Sequence, residues 1–203
     1  MDLKEQRELT RAIRKELSEI DLLKEKMEHP DYKGAGELLR IDEARKRVAK
    51  LKRELILCGG EYKPTAKERR SEEFERNIRY ISEIRLSVCN FVGGDSELTF
   101  RVCDGGAVIE SGGFSVRGPI EAERSSVDKR RFLKCVSRLN IGEWRRNYDS
   151  SRFGIFFLDG VSWRLDFRYS GGKRTKRFGG SNAFPYNFEK LLKLFNAETV
   201  FGY

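Results

Sequence analysis

From residue 2 to about residue 28, apolar side chains return at steps of three and four. Leu9, Ile13, Leu17, Ile20, Leu23 and Met27 form one stripe, and charges fill the other faces. That spacing predicts an amphipathic helix. His29-Pro30 ends it, because proline disfavours helical geometry in the residue before it. A second stripe, Leu38, Ile41, Val48, Leu51 and Leu55, predicts a helix over 35–57, closed by the glycine cap signal Cys58-Gly59-Gly60. Two helices of similar length joined by a short Pro/Gly loop make an antiparallel helical hairpin. Such a hairpin needs cover from the rest of the chain, a second copy or a partner. Leu17, Ile20, Leu51 and Leu55 are the candidate association residues, for a partner or for a homodimer through the hairpin.

Beyond a polar linker over 59–70, Ser71 is placed to cap a short helix. The period then changes to two. Ile84, Leu86 and Val88 alternate with Glu83, Arg85 and Ser87, and Leu98, Phe100 and Val102 repeat the pattern. A third strand is expected over 107–114, with turns at Gly93-Gly94 and Asp104-Gly105-Gly106. A polar loop follows, then a helix over 126–139. The second half repeats this order: strands near 153–158, 161–169 and 173–178, turns at Asp159-Gly160 (type I′) and Gly171-Gly172, and a helix over 185–195. In β-rich stretches the clearest alternation is Trp163, Leu165, Phe167 and Tyr169 against Arg164, Asp166 and Arg168. The fold class is α+β: an N-terminal antiparallel helical hairpin (1–58), a linker (59–70), and a basic domain (71–203). In that domain two βββα-like units share one antiparallel sheet backed by helices.

Composition adds a core and a charge imbalance. The 14 Phe, 7 Tyr and 2 Trp argue against wholesale disorder. The longest apolar runs are four or five residues, so no membrane span and no secretory signal is expected, and the protein is read as cytoplasmic. Four cysteines without Cys-x-x-Cys spacing are read as buried, reduced thiols, with no metal and no cofactor implied. Residues 1–114 carry 23 Lys and Arg against 23 Asp and Glu, whereas residues 115–203 carry 18 against 9. The formal charge of +9 therefore belongs to the C-terminal part, which points to an anionic partner.

If the apolar parity of the strands meets the helices, Glu83, Arg85, Thr99, Arg101, Arg164, Asp166 and Arg168 share the opposite face. Lys173, Arg174, Lys176 and Arg177 add a basic edge, with Arg130 and Arg131 near in sequence. The candidate anion-binding residues are thus Arg164, Arg168, Lys173, Arg174, Lys176, Arg177, Arg130 and Arg131. Arginine suits phosphate because its planar fork donates two parallel hydrogen bonds. Gly179-Gly180-Ser181-Asn182 reads as a turn, with a phosphate cradle as the alternative. A single histidine beside a proline excludes His-based triads, and no nucleophile motif is present, so no catalytic residue is assigned. The enzymatic alternative is a metal-dependent nuclease using Asp159 and Asp166. A dimerising scaffold with no nucleic-acid partner is the other.

Trp144, Tyr148, Asp159-Gly160, Trp163-Arg-Leu-Asp-Phe-Arg-Tyr169 and Gly180-Ser-Asn-Ala-Phe-Pro-Tyr-Asn-Phe188 resemble an uncharacterised domain of Gram-positive bacteria and their mobile elements. The resemblance covers residues 144–195. It implies no activity and no catalytic residues. It implies a phage or mobile-element setting, in which small basic proteins bind nucleoprotein machines, including as anti-CRISPR inhibitors. The expected partner is accordingly a nucleic acid or a ribonucleoprotein complex.

Overall fold

The computed structural model describes residues 3–90, 94–103, 106–115, 118–157 and 159–195. It divides into two compact units, Met1–Thr65 and Ala66–Tyr203. Gly93, Asp104 and Gly105 of the two turns expected in the first half lie outside the described residues.

The first unit is a helical hairpin of α1 (Leu3–Met27) and α2 (Glu37–Leu57). Ile13, Ile20 and Leu23 of α1 and Ile41, Ala44, Val48 and Leu55 of α2 are buried, as the stripes require. Cross-helix contacts fix an antiparallel register. Gln6 Nε2 donates to Cys58 O at 2.9 Å, Arg47 Nη2 sits 2.9 Å from Glu16, and Lys26 Nζ sits 2.6 Å from Glu37. The end of α2 is a Schellman cap: Gly60 N donates to Leu55 O and Gly59 N to Ile56 O, with Gly59 at φ +69°.

Glu37 also accepts from the Tyr32 hydroxyl. These two donors, Lys26 first, hold its carboxyl at about 2, below the ordinary 4.5. A depressed carboxylate stabilises the fold above its unfolded-state value and loses that contribution as the folded group protonates. The hairpin should therefore lose stability as pH falls from 4.5 towards 2. Thermal melts followed by far-UV circular dichroism should show this acid limb flattened in Glu37→Gln. An identical limb in both proteins counts against the contribution.

The second unit begins with α3 (Ala66–Asn77), five residues before Ser71. Thr65-Ala-Lys-Glu68 has the Ser/Thr-x-x-Glu spacing that opens helices. Seven strands follow in one sheet: β1 (Ile81–Asn90), β2 (Gly94–Cys103), β3 (Gly106–Ser115), β4 (Gly118–Val127), β5 (Asn147–Asp149), β6 (Val161–Tyr169) and β7 (Lys176–Ser181). Their order is β4-β3-β2-β1-β6-β7-β5, antiparallel except for β5 beside β7. The central β1–β6 pair joins the two halves of the unit. Helices α4 (Lys129–Arg138) and α5 (Phe188–Leu194) cover one face, together with α3. The aromatic core marks that face. Phe132 of α4 stacks on Phe100 at 4.1 Å, Phe74 of α3 meets Phe167 at 5.1 Å, and Phe188 of α5 meets Trp163 at 4.7 Å.

The sheet is α+β as expected, but the two βββα-like halves are not alike. The stretch 115–125, expected as a polar loop, contains most of β4. Gly118-Pro-Ile-Glu-Ala-Glu-Arg-Ser-Ser-Val127 has too few apolar side chains to show alternation, and Pro119 is tolerated because β4 is an edge strand. A strand was expected over 153–158; residues 153–157 are instead the end of a 3-10 turn (Ser150–Phe153) and an irregular run after Gly154 at φ +73°. Phe156 is 82% exposed; Leu158 lies outside the described residues. Without a strand before it, Asp159-Gly160 is no hairpin turn. Glycine is required at 160 because a Cβ there would collide with the Asn182 side chain.

Candidate nucleic-acid interface

On β6, Trp163, Leu165 and Phe167 are buried towards the helices, which turns Arg164, Asp166 and Arg168 to the other face. Cross-strand register brings charged residues of five strands alongside them. Glu83 lies opposite Arg101 and Arg168, Asp166 opposite Arg85 and Arg177, and Glu110 opposite Arg124. The result is a ladder of ion pairs. Arg124 reaches Glu110 at 3.6 Å, Arg101 reaches Glu110 at 3.3 Å and Glu83 at 3.5 Å, and Arg168 reaches Glu83 at 3.3 Å. Arg85 bridges Glu83 at 3.3 Å and Glu97 at 3.6 Å. Asp166 holds Arg164 at 3.1 Å and Arg177 at 3.8 Å.

Three of the carboxylates, Glu83, Asp166 and Glu110, lie underneath. The side chains of Glu83 and Asp166 are 12% and 11% exposed, whereas those of Arg164, Arg168 and Arg177 are 57%, 51% and 65% exposed. Six guanidiniums thus share four carboxylates, and only Glu97, 48% exposed, is not covered by its arginine. Their alignment is largely fixed, because each acid limits how its arginines can turn. Each guanidinium has five N–H donors, and these contacts use few of them. The face is therefore less positive than a strand-by-strand count suggests, but it keeps unused donors on exposed side chains.

The eight sequence-assigned cations do not converge as one patch. Arg164, Arg168 and Arg177 share this face. Lys176, one residue from Arg177, falls on the helix side with Phe178, where burial, then Arg146, pushes its ammonium below the usual lysine range. Lys173 donates to Asn77 Oδ1 at 3.0 Å and lies over the Tyr80 ring. Arg174 is exposed beyond the turn at Gly171-Gly172, both with positive φ. Arg130 and Arg131 are exposed on α4, in the helical layer away from the ladder; the Arg131 backbone N–H caps the helix by donating to Asp128 at 2.6 Å. Arg124 was absent from the expected face because β4 itself was not legible as a strand; Glu110 lies on the expected third strand, but its place on this face was not read.

A groove of about 340 Å³ opens on the same face, lined by Ser87, Cys89, Asp95, Glu97, Ser162 and Arg164 among others. Its two carboxylates make that end unsuited to phosphate. None of the four cysteines is buried as expected: Cys58, Cys103 and Cys135 are half-buried and Cys89 is exposed, where the Asp95 carboxylate, then partial desolvation, pushes its thiol up. Asp159 is exposed in the segment before β6, whereas Asp166 is engaged by two arginines within β6. Among the described residues no group of three or more His, Cys, Asp and Glu could hold a metal ion.

The motif Gly180-Ser-Asn-Ala-Phe-Pro has a structural role. Gly179–Ser181 belong to β7, so no free loop is left to cradle a phosphate. Gly180 makes room for Trp163: a Cβ there would lie 2.6 Å from the indole nitrogen. That nitrogen donates to Ala183 O at 2.9 Å, and Asn182, at φ +50°, accepts from Val161 N at 2.8 Å. Trp144 Nε1 donates to Asn187 Oδ1 at 2.9 Å, and Asn187 donates on to Leu139 O at 2.6 Å. The residues that carry the resemblance over 144–195 thus tie β6, β7 and α5 together. Among the association candidates, Ile20 and Leu55 are buried, and Leu17 and Leu51 are half-buried. The exposed large apolar residues of the described hairpin are Leu3, Leu22, Leu39, Ile56 and Leu57. No helix of the described residues is long and apolar enough to cross a membrane.

No protein-family model matches the chain, and neither a curated protein nor a solved structure is detectably similar to it.

Proposed function

We propose that the protein is a non-enzymatic binding module that recognises the phosphate backbone of a nucleic-acid-containing complex through the arginine ladder of its sheet. The observation that carries this reading is the layering of exposed guanidiniums over partly buried carboxylates. An arginine held by one carboxylate has lost side-chain freedom before a ligand arrives, so less ordering entropy opposes binding. Its remaining N–H groups can still fork onto a phosphate oxygen pair. The setting implied by residues 144–195 makes a bacterial defence nuclease, inhibited in the anti-CRISPR manner, the first complex to try. On this reading the protein works inside the bacterial cytoplasm.

Fluorescence anisotropy with labelled single-stranded RNA and duplex DNA tests the interface directly. Arg164→Gln, Arg168→Gln and Arg177→Gln combined should weaken binding by roughly tenfold or more, because charge-assisted contacts are the strong ones. The ladder is mostly self-neutralised, so its share of the salt dependence should be shallow, well below one counterion per arginine. Unchanged affinity in a folded triple variant would remove the sheet face from the interface.

A further inference from the structure

The even charge balance of the N-terminal half conceals a separation that only the hairpin register reveals. Residues 3–15 carry five Lys and Arg against two Glu, and residues 46–58 carry five against one. The antiparallel register, fixed by Gln6 with Cys58 and Glu16 with Arg47, sets these two segments side by side. The open end of the hairpin therefore gathers an excess of seven positive charges. The loop end, residues 16–45, has five Lys and Arg against nine Asp and Glu. Summed over residues 1–114 these charges cancel, but within the folded hairpin they are separated end from end.

At the positive end a groove of about 320 Å³ runs along α1, lined by Gln6, Arg7, Thr10, Arg11, Arg14 and one carboxylate, Glu61, among others. Positions 7, 11 and 14 lie on one helix face, and they rise along the axis by about 6 and 4.5 Å. Gln6 and Thr10 spend their donors inside the hairpin, on Cys58 O and Gln6 O. The three guanidiniums have no hydrogen bond or ion pair among the described residues. Lys46 and Arg53 on α2 are likewise unpaired and exposed. This differs in kind from the sheet face, where every arginine of the ladder sits against a carboxylate.

We infer that the open end of the hairpin is a second nucleic-acid contact, in which Arg7, Arg11 and Arg14 follow successive phosphates of one strand laid along α1. Three unpaired guanidiniums in a row along one groove fit a narrow polyanion better than a flat anionic bilayer. Phosphates are matched by the arginine fork, and no counter-charge has to be displaced first. The inference deepens the nucleic-acid reading above and rests on it for the class of ligand. It assigns to the hairpin most of the salt-dependent affinity, because its charges are not already neutralised within the protein.

The full chain should be titrated with labelled single-stranded RNA, with duplex DNA, and with phosphatidylcholine vesicles containing phosphatidylserine. Combined Arg7→Gln, Arg11→Gln and Arg14→Gln should weaken nucleic-acid binding about tenfold or more and flatten the slope of log K against log salt by roughly two, at roughly 0.7 to 0.9 per phosphate contact. The matching Arg→Lys variant should keep the slope. Helix content at 222 nm should be unchanged in both, since all three side chains are exposed. Wild-type affinity and slope in the Gln variant overturn the inference. So does full loss in the sheet variant with full retention in the hairpin variant, which leaves the sheet reading standing. Loss in the hairpin variant with retention in the sheet variant does the reverse: it upholds the inference and removes the sheet. Vesicle binding without nucleic-acid binding, or binding to neither, overturns it as well.

Discussion

Trp163→Ala should be the most damaging single truncation in the sheet unit. The indole is 3% exposed and packs against Trp144, Tyr148, Phe184 and Phe188. Removing a buried aromatic of this kind costs ~3–5 kcal/mol through lost transfer energy and the cavity that remains. The carbonyl of Ala183 also loses its indole donor, which adds about 1 kcal/mol where water does not replace it. Against a typical domain stability of about 5–15 kcal/mol, the variant keeps only a thin margin. Trp144 is the one remaining tryptophan and reports the same core, so urea unfolding followed by its fluorescence measures the effect. A midpoint close to wild type would mean that the Trp163 cluster is not central to the unit. Gly180→Ala should show a smaller loss by the opposite route, overpacking, because its added methyl would fall 2.6 Å from the same indole nitrogen.

These residues also show what the sequence made legible. The alternation at 163–169 identified a strand and its faces because β6 is central, with one side buried and the other wet. Lys176 and Arg177 were separable by the same parity, since Phe178 fixes which side of β7 is buried. β4 was not legible, because Ile120, Ala122 and Val127 are too few and too unevenly spaced among polar residues to show a period. The run 153–158 misled for the converse reason: apolar residues were counted as buried, yet Phe156 and Phe157 are exposed. The ion-pair ladder needed information that no single strand contains. Glu83 is one acid among many until register sets it against Arg101 and Arg168. The hairpin's polarity was hidden in the same way, by summing charge over residues that antiparallel pairing moves apart.

That hairpin has the second large effect. Ile41→Asp should unfold it. Ile41 is fully buried on α2, so the change forfeits roughly 1.5–3 kcal/mol of apolar burial. A carboxylate there has no partner, and an unpaired buried charge costs several kcal/mol more unless it takes up a proton. The site also lies at the end of the hairpin that already carries an acidic excess, so nearby charge opposes the new one. Together these exceed what a pair of helices joined by one loop can absorb, since most helix stability in proteins comes from packing of the apolar face. Far-UV circular dichroism should show loss of much of the signal from the 25 and 21 residues of α1 and α2. The same variant separates geometry from charge. It leaves Arg7, Arg11 and Arg14 in place but removes the helix that aligns them. Nucleic-acid affinity should fall towards that of the Gln variant, although the net charge changes by only one. If affinity and salt slope stay at wild-type values while the helix signal is lost, the arginines act as a diffuse charge and the groove is not a site. If the helix signal is kept, Ile41 is not part of the hairpin's essential core.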